Sequence, residues 1–207
     1  MATVFVESYA LPSVDRREVL RYSGVRSTSG ETEELNSLLD TAISISSDVL
    51  DPRVCFCELA LSELDLGGSL DLKNHLRDCH SAIIFASTLG VALDRLIFRY
   101  GVISPATALM LESLGNERIE ALCDAFGSSV ATRKAQENLS VTSRFSAGYG
   151  DLPLEYQKKI FDLLDPPSRI GLTLNSSYLM SPSKSVTAII GIAKDGCIKY
   201  SQVMYVR

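Results

Sequence analysis

The chain has little that would commit it to a membrane, a secretory route or a nucleic acid. Its apolar runs, Ile83–Leu89 and Ala188–Ala193, stop far short of the roughly 20 residues that a helical span needs. The opening Met1-Ala-Thr-Val-Phe-Val-Glu-Ser carries no basic n-region and no h-region of signal length, so it reads as a first strand and the expected location is cytoplasmic. Lysine and arginine total 20 against 25 acids, a net charge of −5, and no basic stripe forms. That balance argues against nucleic acid or an anionic membrane as partner. The absence of tryptophan excludes nothing about function.

Cysteine is present in an odd number, as Cys55, Cys57, Cys79, Cys123 and Cys197. A disulfide framework favours an even count, so reduced thiols are the simpler reading. Cys55-Phe-Cys57 lacks the spacing and the second pair of a zinc or redox motif, and its sulfurs are expected on opposite faces of a strand. His75 and His80 lie five apart with Cys79 between them; a metal site is conceivable there, but without further ligands packing or helix-end roles are expected. No G-x-S-x-G elbow, G-x-x-x-x-G-K-[ST] loop or G-x-G-x-x-G turn occurs.

What is present is a chain of 207 residues in which helices interleave with strands, consistent with one domain over residues 1–207. Ser13 is the expected cap of a first helix ending near Gly24. Thr28 and Glu31 form a capping-box pair ahead of a helix over Glu31–Ser47. Val54–Leu61 reads as a strand, Gly67-Gly68 as a turn, and Ser69 as the start of a short helix. His80–Ser87 is a strand buried on both faces, and Val91–Tyr100 a helix. Ser104-Pro105 opens a long helix to about Ala135, with Gly115 as its weak point. Leu154–Leu164 is a helix stopped by Asp165-Pro-Pro167, and Leu172–Leu179 a strand candidate. Ser185–Ala193 and Ile198–Val206 flank the hairpin signal Asp195-Gly196. The pattern is α+β rather than a regular βαβ array.

Between the long helix and Leu154 lies Arg144-Phe-Ser-Ala-Gly-Tyr-Gly-Asp151, read as a loop. It holds one forked cation, a hydroxyl, two glycines and a ring. A guanidinium can meet a carboxylate through two parallel hydrogen bonds. Glu120 and Asp124, four apart, share one face of the long helix. Those acids could receive an ammonium or hydroxyls, or form a solvated face.

Arg144-Phe-Ser-Ala-Gly-Tyr-Gly-Asp-Leu-Pro, followed by Asn175-Ser-Ser-Tyr-Leu-Met-Ser-Pro-Ser-Lys-Ser-Val, resembles the C-terminal activation domain of cobalamin-dependent methionine synthase. The family pattern Arg-x-x-x-Gly-Tyr, a helix, Met-x-Pro and Ser-Val falls on Arg144, Gly148, Tyr149, Met180, Pro182, Ser185 and Val186. Asp15…Glu18-Val-Leu-Arg-Tyr-Ser-Gly24, Thr88-Leu-Gly90 and the Glu120 helix extend the resemblance over most of the chain.

The resemblance implies a twisted antiparallel sheet bordered by helices. It implies a domain that binds S-adenosylmethionine and sits over the corrin of a cobalamin-binding module. There it supports reductive methylation of cob(II)alamin, with an electron from a flavodoxin-type donor. Arg144 would take the ligand carboxylate or nearby backbone, Ser146 would offer backbone hydrogen bonds, and Tyr149 would lie near the methyl donor. Glu120 is the matching acid, with Asp124 as fallback; Tyr200 resembles a tyrosine at the ligand, and Glu137 could replace a further acid. Asp15 has no assigned role. Ala147 stands where the family often has proline, and no Asp-x-His-x-x-Gly cobalamin signature is present. Cobalamin would therefore be carried by a partner, a cobalamin-binding methionine synthase chain or another corrinoid protein. This chain would be its accessory, with no complete active site of its own. The alternative is an adaptor that docks on a corrinoid methyltransferase without binding S-adenosylmethionine.

Overall fold

A computed structural model describes residues 2–24 and 32–194. Thr28, Glu31, Cys197, Tyr200 and the hairpin across Asp195-Gly196 lie outside the described residues. Strands β1 (Phe5–Ser8), β2 (Arg53–Ala60), β3 (Cys79–Thr88), β4 (Leu139–Phe145), β5 (Thr173–Leu174), β6 (Met180–Ser181) and β7 (Ser185–Lys194) alternate with helices. These are α1 (Arg16–Tyr22), α2 (Glu33–Ser46), α3 (Leu70–His75), α4 (Val91–Ile103), α5 (Pro105–Ala135), α6 (Tyr156–Leu164) and α7 (Pro166–Ile170). Five strands form one sheet in the order β1-β2-β3-β7-β4, and every neighbouring pair is antiparallel. The α+β fold, an antiparallel sheet bordered by helices, is the one expected.

Both faces of the sheet are buried, which is why β3 and β7 are nearly continuous apolar runs. On one face Ile84, Phe145 and Ile189 meet Leu72 of α3, Ile160 and Leu164 of α6 and Ile170 of α7. On the other, Phe85, Val141 and Ile190 meet Ile119, Leu122 and Phe126 of α5. A third cluster is made by helices alone: Val19, Leu20, Leu39, Ala42, Met110, Leu111 and Leu114. Cys55 and Cys57 share the first of these faces, because residues two apart on a strand point the same way. Burial pushes their thiols up to about 12 and about 11, so both stay protonated and inert at neutral pH.

Several boundaries differ from the sequence expectation. Asp15, not Ser13, caps α1: its carboxylate accepts from the amides of Arg17 and Glu18. Gly115 does not weaken α5. It lets Lys184 and Leu93 pack close, since an added Cβ would meet Lys184 Cε at 2.9 Å and Leu93 Cδ2 at 3.1 Å. Asp165 ends α6, but Pro166 opens α7, where a proline loses no helical hydrogen bond. The strand expected over Leu172–Leu179 is instead two short strands, β5 and β6, joined by a turn. Asn175 Oδ1 closes that turn by accepting from the amides of Ser177 and Leu179.

Most consequential is β4, a strand that the sequence pattern does not predict and whose last two residues, Arg144 and Phe145, fall in the stretch expected as a loop. Its register against β7 runs Val141↔Ile192 and then Arg144↔Ile190, three residues against two. This bulge breaks the alternation by which a strand is recognised, and it hid the strand.

Candidate functional site

The bulge decides where Arg144 points. In a regular strand Arg144, three residues after Val141, would face away from α5. The extra residue reverses that, so Arg144 and Val141 share the α5 face. The guanidinium Nη2 there pairs with Glu120, and Nη1 lies 3.5 Å from Asp124 Oδ1. The three residues singled out from sequence meet across 24 residues of chain. The Arg144 side chain is only 12% exposed, so its ion pair is screened less than a surface pair.

Beside this group a cleft of about 290 Å³ opens between α1 and α5. Asp15, Glu18 and Tyr22 line one wall and Glu117, Glu120, Ala121 and Asp124 the other. The two sets share the spacing i, i+3, i+7, which puts each on one helical face. That periodicity was readable in the sequence, but nothing in it said that the two faces oppose each other.

The base of the cleft is fixed by a buried pair. Glu117 and Arg118, adjacent on α5, form an ion pair and are 6% and 3% exposed. Glu117 also accepts the Asp15 amide at 3.0 Å, while Arg118 donates to the carbonyls of Pro12 at 2.6 Å and Ser13 at 3.2 Å. The pair pins the start of α1 to α5 and leaves the wall residues to face the opening. Burial, then the Glu120 charge, raises the Tyr22 phenol above its ordinary value, so the ring stays neutral.

The other expected residues fall elsewhere. Phe145 follows Arg144 and points to the opposite face, and the Tyr149 ring stands edge-on to it with centroids 5.4 Å apart. Tyr149, half exposed, therefore lies on the far side of β4 from Glu120. Ser146 sits where the chain leaves the strand, and its carbonyl accepts from the Tyr149 amide at 3.2 Å. Among the described residues β4 is an edge strand of the sheet, so a ligand reaching both Arg144 and Tyr149 must pass around that edge. Glu137 is not part of the group. It pairs with Lys134 at the end of α5, about 22 Å of helix away from Glu120.

The turn carrying Tyr149 is held from below. The Asp151 carboxylate accepts from the Leu70 amide at 2.8 Å, the Asp71 amide at 3.2 Å and the Ser69 hydroxyl. These bonds, the Ser69 hydroxyl foremost, hold its carboxyl below the usual range. The second half of the motif is also structural. Asp94 accepts from the Ser183 amide and hydroxyl at 2.7 and 2.9 Å, and Lys184 reaches Glu112 and Asn116 on α5. Met180–Val186 thus ties β7 to α4 and α5 and supplies no group to the cleft. Among the described residues no cluster of His, Cys, Asp or Glu could hold a metal ion, and no helix is long and apolar enough to cross a membrane.

No family model matches the chain, and no curated protein sequence matches it significantly. Among solved structures it is similar to a crystal structure of the MetH reactivation domain bound to AdoHcy, with a TM-score of 0.64. The match covers 97% of this chain and 81% of that one at 15% identity, and at that identity it is the fold that is shared.

Proposed function

We propose that this chain binds S-adenosylmethionine in the cleft between α1 and α5 and acts as accessory to a cobalamin-carrying protein in reductive methylation of cob(II)alamin. The observation that carries the reading is the meeting of Arg144 with Glu120 and Asp124 at the cleft, within a fold shared with a MetH reactivation domain. S-adenosylmethionine has one carboxylate, one ammonium and one sulfonium, a net positive charge that suits a cleft walled by carboxylates. Arg144 would turn from Asp124 to the ligand carboxylate, and the freed acid would take the ammonium. Tyr22 offers a neutral ring for the adenine. Ser146 and Tyr149 would act where the ligand rounds the edge of β4, with Tyr149 facing the corrin. Tyr200 would complete the site. Cobalamin would come from a cobalamin-binding methionine synthase chain or another corrinoid protein, and the electron from a flavodoxin-type donor.

Titration calorimetry with S-adenosylmethionine, alone and with the partner's cobalamin module, tests this. Binding weakened by about 1.5–3 kcal/mol in Arg144→Ala is expected; no binding in either setting would overturn it. One observation favours the second reading, an adaptor without a ligand: Arg144 is already paired with acids of its own chain. Partner capture undiminished by Arg144→Ala and Tyr149→Ala, with no heat of ligand binding, would support the adaptor.

A further inference from the structure

The first part of α5 packs mainly against other helices, tied toward the sheet through Lys184. Met110, Leu111 and Leu114 belong to the all-helical cluster, whereas Ile119, Leu122 and Phe126 belong to the sheet cluster. Only the turn end of the α4–α5 hairpin lies beyond these contacts, since Leu93 and Ile97 of α4 still pack with the sheet cluster. On α4, Leu93, Leu96, Ile97 and Tyr100 face inward. Arg95, Phe98, Arg99 and Val102 fall within one arc of about 100° on the opposite side. Phe98 is 80% and Val102 83% exposed, and Ile103 and Leu109 continue the apolar surface around the turn at 63% and 55%.

The charge of this tip is opposite to that of the chain. Among the described residues neither Arg95 nor Arg99 makes an ion pair. Nearby acids are used elsewhere, Asp94 by Ser183 and Glu112 by Lys184. An exposed aromatic beside arginines is the composition of an interface anchor, in a protein whose net charge is −5.

We infer that the α4–α5 tip is a docking surface for a protein whose contact face is apolar and ringed by carboxylates. A symmetric contact with a second copy would set Arg95 and Arg99 against their own equivalents, so charge disfavours it. Two arginines are also fewer than the four to eight cations of a polybasic lipid-binding segment. The surface stands apart from the α1–α5 cleft, so it does not depend on what that cleft holds.

The test is a photo-crosslinking benzoylphenylalanine in place of Val102 in the full chain, expressed in cells of the source organism, with adducts mapped by mass spectrometry. The expected result is one protein adduct, joined at a peptide bearing apolar residues among Asp and Glu. Its yield should fall about tenfold in Arg95→Glu/Arg99→Glu and recover when those partner acids are changed to lysine. Unchanged melting of that variant would show that the fold is intact. Adducts only to lipid or to a second copy, no adduct, or an adduct indifferent to charge reversal would overturn the inference.

Discussion

The backbone amide of Gly191 on β7 donates to Thr142 Oγ1 on β4 at 2.8 Å, across the bulge that turns Arg144 toward α5. The same hydroxyl lies 3.0 Å from His75 Nε2, which also reaches the Ser143 carbonyl at 2.8 Å. The irregular step in the strand is therefore held from both sides, by β7 and by the end of α3.

Thr142→Val keeps the shape but removes the acceptor for the Gly191 amide. A buried unsatisfied donor is expected to cost about 1–3 kcal/mol in denaturant unfolding. If the bulge aims Arg144, ligand affinity should fall along with stability.

Gly191→Ala tests the packing beneath the bulge. The added methyl would sit 2.5 Å from Cys79 Sγ, 2.7 Å from Leu76 Cδ2 and 3.1 Å from Thr142 Cγ2. Overpacking of this kind is expected to destabilise by about 1–3 kcal/mol. A matched unfolding midpoint for variant and parent would show that the core there can give way.

Arg144 and Glu120 should be energetically coupled. In a double-mutant cycle with Arg144→Ala and Glu120→Gln, a coupling of about 0.5–3 kcal/mol is expected, because the arginine is largely shielded. Additive single effects would mean that the pair contributes nothing to the folded state.

His75 makes stability depend on pH near neutrality. Burial lowers its pKa below 6.5, and the Ser143 carbonyl opposes that shift. The unfolded chain then binds a proton more readily than the folded one. Stability is complete above about pH 6.5 and declines as pH falls from there through the lower folded value. Denaturant midpoints measured at intervals from about pH 8 to pH 5 should show that decline, and His75→Asn should flatten it.

Asp151 works at lower pH in the same direction. Its folded pKa lies below the ordinary 3.8, so its contribution is present above that value and lost as pH falls through the folded one. Asp151→Ala should free the amides of Leu70 and Asp71, seen as faster hydrogen exchange there and across the Tyr149 turn.

Much of the fold was legible because burial writes itself into periodicity. The apolar run at His80–Ser87, the Ser104-Pro105 helix start and the Gly67-Gly68 turn each appear within a residue or two of where they were expected. These signals are local: a cap, a proline's fixed φ, a glycine's freedom at positive φ. The Asn175 turn was harder to read, since one side chain closing two amides divides a stretch whose apolar residues suggested a single strand.

The candidate site was legible only in part. By itself the sequence determined which groups were available: one guanidinium in an Arg-x-x-x-Gly-Tyr pattern, and acids four apart on a long helix. It determined the α+β pattern as well. Only the tertiary structure decided that Arg144 faces Glu120 while Tyr149 lies across the strand, and that Asp15, Glu18 and Tyr22 oppose the acids of α5. The physical reason is that one extra residue in β4 reverses the direction of every side chain after it. That bulge is fixed by Thr142, Gly191 and His75, groups brought together from three distant parts of the chain.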